Sequence, residues 1–579
     1  MPCEAEVLNM PDLPISFFQE REPVERGILE TEERILTYAQ ELLDLKFRLN
    51  QILPISRLPP EILAHIFEHL VWIVYRNYRQ SQKDPRRYGD VSPYSWLRVT
   101  HVCRHWRDVA RHSPPLWTQV ILMNAPCVQE LLTNSKGLPI SVEHGRDSES
   151  LTAQESLSVV LENMPRVKQL KLTFSRRPYR ALSLLPSLHA PILRNLTIIT
   201  SITGDALPPV FQQSGLANLP HLESLECSGY PFLSARMLFR STLRRLSLLP
   251  CRAPPSPAQL LESLSGLPLL ESLNLDLLFP MPAFGSTQSY AEWFNSGSQS
   301  QQTVALPHLK NLVLSEASSG MASVKLLDQL RVPPWTNISL EFEKMCAHED
   351  ELRQIIPPLG AKVASVYPGH GFKTMALYTV WSPASSIQPR RIKYAVDLWD
   401  DLVPVQSLHN RDGPPPNFTL RIPKRYQHTI LELFCSPLHL SFLQTLYVEK
   451  VALMSPLWAR VLAQMAQVTT LACQGNFLGS LGTVLSSPPV ERGRSSCDCD
   501  LLPRLKDLHF LDICFHEPYD GDSKITLFRR ILDSLEVRRD RGLPIAKVVI
   551  KQAYDLTADD VESLGVFVGE MDWDGAEFD

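Results

Sequence analysis

Apolar positions along the chain follow three rhythms, and each predicts a different kind of element. From 28 to 52, Ile28, Thr31, Ile35, Tyr38, Leu42, Leu45, Leu49 and Ile52 alternate in steps of three and four. That spacing gathers one stripe on a helix, with Glu, Lys and Arg beside it. Leu29, Leu36 and Leu43 widen the stripe, and Pro54 ends it. Two uses of the stripe stay open: folding back on the chain, or self-association as a coiled coil. A second helical rhythm follows Pro59 and Pro60, which suit a first turn because its amides need no partner. Leu63, Ile66, Phe67, Leu70, Val71 and Val74 then share one face. After a polar stretch, Trp96, Val99, Val102, Cys103, Trp106, Val109 and Ala110 predict another helix, stopped by Pro114 and Pro115. QVIL, at 119–122, reads as a short strand.

The third rhythm starts near 164: apolar residues at positions one, four, seven and nine of a recurring segment. LPHLESLEC (ending at Cys227), LPLLESLNL (Leu275) and LPHLKNLVL (Leu314) are the clearest copies. Weaker ones end at Leu172, Ile198, Leu248, Leu340, Val448, Cys473, Phe510 and Ile550. The first seven end points, Leu172 to Leu340, are 26, 29, 21, 27, 39 and 26 residues apart. Most of these spacings fit the period of leucine-rich repeats. The L-x-L part alternates like a strand, and one unit cannot bury its own apolar face, so neighbours must stack. No copy carries the regular Asn that ties such turns together. The pattern breaks between 344 and 437, where Ile392, Tyr394, Val396 and Leu398, then Phe418, Leu420 and Ile422, still alternate. Degenerate repeats or an inserted subdomain would both explain the break.

Composition narrows the function. Hydrophobic residues at 44% and charged residues at 21% are ordinary for a globular chain of 579 residues. A net charge of -5 argues for neither a nucleic-acid nor a membrane partner. The 48 prolines against 24 glycines imply short elements joined by stiff turns. Cys227, Cys435, Cys473 and Cys514 lie in apolar segments and are expected to be reduced core residues, which points to the cytoplasm or nucleus. Cys497 and Cys499 lack a second ligand pair nearby, as do the spaced histidines His65/His69 and His101/His105, so no metal is expected. From Arg76 to Arg111 there are nine Lys/Arg and three Asp/Glu, enough to complement an acidic partner or to solvate a loop. No phosphate-binding loop and no G-x-S-x-G elbow is present, so no catalytic residue and no cofactor is expected.

Residues 53–120 resemble the F-box family. The resemblance rests on Leu58-Pro59-Pro60-Glu61-Ile62-Leu63, Ile66-Phe67, Leu70, Val102-Cys103-Arg104-His105-Trp106-Arg107 and Ala110. It departs from a compact F-box in an insertion at about 72–95. The large F-box families of basidiomycete fungi look similar, including the helix before the box. The resemblance implies a small helical bundle that binds a Skp-type adaptor and, through it, a cullin–RING ubiquitin ligase of the SCF class. It places the adaptor contact on Leu58, Pro59, Ile62, Leu63, Ile66 and Phe67, with Val102, Cys103, Trp106 and Arg107.

The expected fold is therefore α/β. A flexible 1–27 leads to the heptad helix at 28–52 and the F-box at 53–120. An irregular leucine-rich-repeat solenoid with a parallel strand-lined face follows at 121–554, and an acidic tail at 555–579. The expected role is a non-enzymatic substrate receptor of an SCF ligase, its repeats holding a protein target that the sequence does not name. The competing role is a repeat scaffold that delivers nothing for ubiquitination.

Overall fold

The computed structural model describes residues 15–83, 89, 91–144, 151–174, 189–200, 219–229, 232–249, 257–276, 303–316, 321–342, 349–367, 371–381, 392–435, 437–438, 440–451, 455–475, 485, 501–516 and 526–575. Cys497 and Cys499 lie outside them, as do 285–302 and 486–500, whose Ser-, Gly- and Pro-rich sequences read as exposed loops. The chain forms two compact units, Met1–Val160 and Leu161–Asp579.

In the first unit, helix α1 spans Ile15–Ile52, so much of the stretch expected to be flexible is helical. Pro23 lies inside it. Ion pairs one turn apart, Arg21–Glu25 at 2.7 Å and Arg26–Glu22 at 3.9 Å, flank the proline and support the helix. The stripe does not fold back: Ile28 is 53% exposed and Leu49 60%, with Ile35, Leu42 and Leu45 in the same range. Helix α2 is Pro60–Lys83. It carries the chain straight through the first half of the expected insertion. Tyr75 and Arg79 anchor that extension, the Tyr75 hydroxyl donating to the Gln119 carbonyl at 2.6 Å and Arg79 Nε to Glu143 Oε2 at 3.1 Å. The helix expected over Trp96–Ala110 is broken in two. A 3-10 turn, Ser95–His101, gives way at extended Cys103 to α3, Arg104–Arg111. Strand β1 (Gln119–Leu122), helix α4 (Ala125–Asn134) and strand β2 (Ile140–His144) follow, with β1 and β2 parallel.

The second unit is a mostly parallel sheet whose strands alternate with helices and turns. Its strands are β3 (Val167–Phe174), β4 (Asn195–Thr200), β5 (Ser224–Ser228), β6 (Arg245–Leu248), β7 (Ser272–Asp276), β8 (Asn311–Glu316) and β9 (Asn337–Phe342). Then come β10 (Thr374–Trp381), β11 (Ile392–Trp399), β12 (Phe418–Pro423), β13 (Thr445–Glu449), β14 (Thr470–Gln474), β15 (Asp507–Leu511), β16 (Ile545–Lys551) and β17 (Val568–Trp573). Each recurring apolar segment of the sequence supplies one of these strands.

Register makes the core a set of rows. Leu172, Ile198, Cys227, Leu248, Leu275, Leu314 and Leu340 are successive cross-strand partners. The row continues through Leu420, Val396, Leu377, Val448, Cys473, Phe510 and Ile550. Nearly all of these side chains are fully buried, each contributing roughly 1.5–3 kcal/mol of transfer free energy. The missing Asn is replaced by backbone. One carbonyl before each strand accepts two amides of the next turn: Arg194 from Glu223 and Ser224 at 2.9 Å, Glu271 from Lys310 and Asn311 at 2.7 and 3.1 Å. Side-chain ion pairs line the same corners, Arg244–Glu271 at 2.5 Å and Lys310–Glu271 at 2.8 Å.

The break at 344–437 holds a helix and three strands that continue the same sheet. Helix α5 (Glu349–Val366) carries the chain past two strand positions, and β10 pairs parallel with β13. Strand β11 then returns antiparallel to β10, and β12 antiparallel to β11 and parallel to β9. Alternation persists because β11 and β12 still present Val396, Leu398, Leu420 and Phe418 to the core rows. The segment from 400 to 417, including helix α6 (Val405–Asn410), folds over the opposite face of the sheet. Trp399, Val403 and Leu408 pack there on Ala376, Tyr447, Ala472 and Leu511.

The acidic tail is also corrected. Residues 558–573 form helix α7 (Ala558–Gly565) and edge strand β17, which pairs parallel with β16. Its acids meet lysines of β16, Glu570–Lys547 at 2.5 Å and Asp572–Lys551 at 2.8 Å. Among the cysteines, Cys227, Cys435 and Cys473 are buried, and burial pushes the Cys435 and Cys473 thiols up to about 12. Cys514 is only half-buried, with Sγ 3.1 Å from Asp555 Oδ2, against the expectation of a core position.

Leu314→Ala in the buried row is expected to cost about 2–5 kcal/mol. Ser315→Ala, one residue along and facing away, is expected to stay within about 0.5 kcal/mol. Guanidinium unfolding of the two variants checks this, and coincident midpoints would show that the row is not the core.

Candidate functional site

Helix α2, the 3-10 turn and α3 of the first unit pack together, and their buried faces explain which residues remain outside. Helical spacing sends Leu63, Phe67, Val71, Val74 and Tyr78 inward. Leu63 is 0% exposed and Phe67 1%. The Phe67 ring meets the Trp106 ring at 5.1 Å between centroids. Trp96 is buried edge-on against Trp117 at 5.1 Å, and Trp117 Nε1 donates to the Ala110 carbonyl at 2.8 Å.

An adjacent face of α2 carries apolar side chains that are largely exposed. Ile62 and Ile66 are each 46% exposed, and Ile73 continues the same stripe. Pro59 is exposed and Leu58 half-buried. Val102 is 55% exposed, because extended Cys103 interrupts the helical rhythm that would have turned it inward. Cys103, Trp106 and Arg107 are half-buried. Arg107 Nε donates to the Thr100 carbonyl at 2.8 Å and so ties α3 to the 3-10 turn.

The ten residues expected at the adaptor contact therefore fall into two groups. Leu58, Pro59, Ile62, Ile66, Val102, Cys103, Trp106 and Arg107 reach the surface. Leu63 and Phe67 are core and shape that surface from behind. Sequence reasoning missed Trp72 and Ile73, both exposed on α2 and set aside as insertion. The Trp72 ring lies 5.8 Å from that of His69, and the Arg76 guanidinium sits 5.4 Å from its centroid. The spacing Ile62, Ile66, Ile73 was the available signal, since it marks one helical face distinct from the Leu63–Phe67 face.

Electrostatics at this surface are mild. His65 Nδ1 lies 3.4 Å from Glu68 Oε2. Among the described residues no three His, Cys, Asp or Glu side chains gather as a metal site. No helix among them is long and apolar enough to cross a membrane. An exposed apolar patch of this kind is a candidate for contact with a partner.

Residues 55–123 match the F-box-like family. The chain carries an F-box-like domain. The bounds of the match include the α2 extension. No curated protein matches the chain. F-box domains bind Skp-type adaptors of cullin–RING ligases, and proteins that carry them are typically non-enzymatic.

Leu63→Asp would place a charge in the bundle core and is expected to destabilise the F-box-like domain by more than about 3 kcal/mol. Ile62→Asp is expected to leave it folded. Limited proteolysis and thermal melts separate the two; equal resistance would contradict the inward assignment of Leu63.

Proposed function

We propose that the protein is the substrate receptor of an SCF-type ubiquitin ligase. The observation that carries this reading is the uncovered stripe Ile62–Ile66 with Val102 in an F-box-like domain. Pro59, Leu58, Cys103, Trp106 and Arg107 complete the adaptor contact, and Leu63 with Phe67 hold it in shape. Aromatic and arginine groups beside a small apolar centre are the side chains that dominate stable interfaces. The second unit, read as irregular leucine-rich repeats, would hold a protein target on the strand face opposite the leucine rows. Chemistry then belongs to the partners, and this chain raises the target's effective concentration beside them.

Co-purification with a Skp-type adaptor tests the reading. Ile62→Asp/Ile66→Asp is expected to weaken capture at least about tenfold while the melting curve stays unchanged. Full capture by that variant would remove the assigned surface. No capture by wild type would remove the receptor role.

The exposed stripe of α1 supports self-association with a second copy. Ile28, Ile35, Leu42 and Leu49 would occupy one core position of a parallel coiled coil, and Tyr38, Leu45 and Ile52 the other. Glu41 and Lys46 then flank the seam with opposite charges at the spacing that pairs across strands. Sedimentation velocity is expected to show a dimer that Leu42→Asp/Leu45→Asp converts to monomer; a monomeric wild type at micromolar concentration overturns it.

A further inference from the structure

A cavity of about 310 Å³ opens at the antiparallel insert of the second unit, on the face opposite the leucine rows. Asp397 of β11 and Arg421 of β12 line it. They are diagonal neighbours on that face, since Asp397 pairs with Thr419 and Arg421 lies two residues on. Asp397 is buried, and its Oδ2 accepts from the Tyr378 hydroxyl at 2.6 Å. Its Oδ1 has no partner, and neither does Arg421 Nε, whose Nη1 lies 3.9 Å from Glu341 Oε2. Among the described buried side-chain atoms of the cavity wall, these are the two left unmet. Burial raises the Asp397 carboxyl above its ordinary value, while the Tyr378 and Thr419 hydroxyls and the two arginines oppose the rise.

Several other polar groups of the wall have partners of their own. Arg411 Nη2 donates to Glu449 Oε2 at 3.0 Å, with its guanidinium 4.7 Å from the Tyr378 ring centroid. Trp399 Nε1 donates to the Pro414 carbonyl at 2.9 Å, and the Tyr447 hydroxyl donates to Gln474. Two carboxylates and two guanidinium groups cancel, so the cavity favours neither a cation nor an anion. What remains is one buried acceptor and one buried donor between flat rings. A guest must offer a donor and an acceptor on one small, planar, neutral group, because an unmet buried polar atom is penalised.

We propose that this cavity receives the carboxamide of a glutamine side chain of a bound polypeptide. Its NH2 would donate to Asp397 Oδ1 and its C=O accept from Arg421 Nε. The proposal rests on the reading that this strand face holds a protein target, and it names one chemical feature of that target.

The probe is N-acetyl-L-glutamine methylamide, followed by saturation-transfer NMR on the full chain, with the glutamate, lysine and methionine counterparts beside it. A guest of this size is expected to bind with a dissociation constant on the order of millimolar. The glutamate probe lacks the donor, the lysine probe the acceptor and the methionine probe a donor and any strong acceptor, and each is expected to bind at least about tenfold more weakly. That selectivity is read on wild type and needs no variant. Arg421→Met keeps the stem, removes the donor and is expected to erase the preference, whereas Arg460→Met, outside the cavity wall, keeps it. Equal saturation by all four probes, no saturation by the glutamine probe, or retained selectivity in a folded Arg421→Met each overturns the proposal. Adaptor capture is read separately: its failure would sink the receptor role and leave the cavity's selectivity standing.

Discussion

Each strand of the second unit presents apolar side chains to one face and cannot bury them alone, so every turn depends on the turn beside it. That dependence explains the long rows running from Leu172 to Leu340 and on to Ile550. It also explains why spacing between repeats varies while register does not. A longer loop adds little closure entropy, whereas a one-residue slip would turn a strand's leucines to the wrong face. The doubly accepting carbonyls of Arg194, Glu271 and their equivalents close most corners, helped by side-chain bonds such as Thr242 Oγ1 to the Leu222 carbonyl and Thr336 Oγ1 to the Leu309 carbonyl.

The same constraint shapes the exception. Between β9 and β13 the sheet must continue, or the rows on either side would be exposed to water. Three strands joined in antiparallel order fill the gap as well as parallel turns would, because cross-strand partners still place Val396, Leu398, Leu420 and Phe418 in the rows. Reversing direction brings the 400–417 segment onto the other face. There Trp399, Val403 and Leu408 build a second apolar cluster. Elsewhere that face carries short polar side chains such as Thr197, Ser247, Asn274 and Ser339. The insert is thus where the strand face acquires depth, aromatic walls and buried charge.

In the first unit, a single helix carries one buried and one exposed apolar face. Leu63 and Phe67 lie on the face of α2 that Trp106 closes, while Ile62 and Ile66 lie on an adjacent face that is largely exposed. Adjacent residues in one motif therefore sit in opposite environments. The extension of α2 through Tyr75 and Arg79 ties that bundle to β1 and β2, so the exposed face lies on a braced helix rather than on a loop.

Periodicity alone determined the element types: the heptad helix, the F-box helices and nearly every strand of the sheet, since burial of one face leaves a period in the sequence. It also located the break at 344–437. Tertiary structure decided what periodicity does not encode. It turned Leu63 and Phe67 inward and, by extending Cys103, Val102 outward. It made β11 antiparallel, although alternation is identical in either direction. It converted the acids near the C-terminus into an edge strand by giving Glu570 and Asp572 lysines on β16. It also brought Asp397 and Arg421 together, because strand pairing joins residues that chain spacing leaves unrelated.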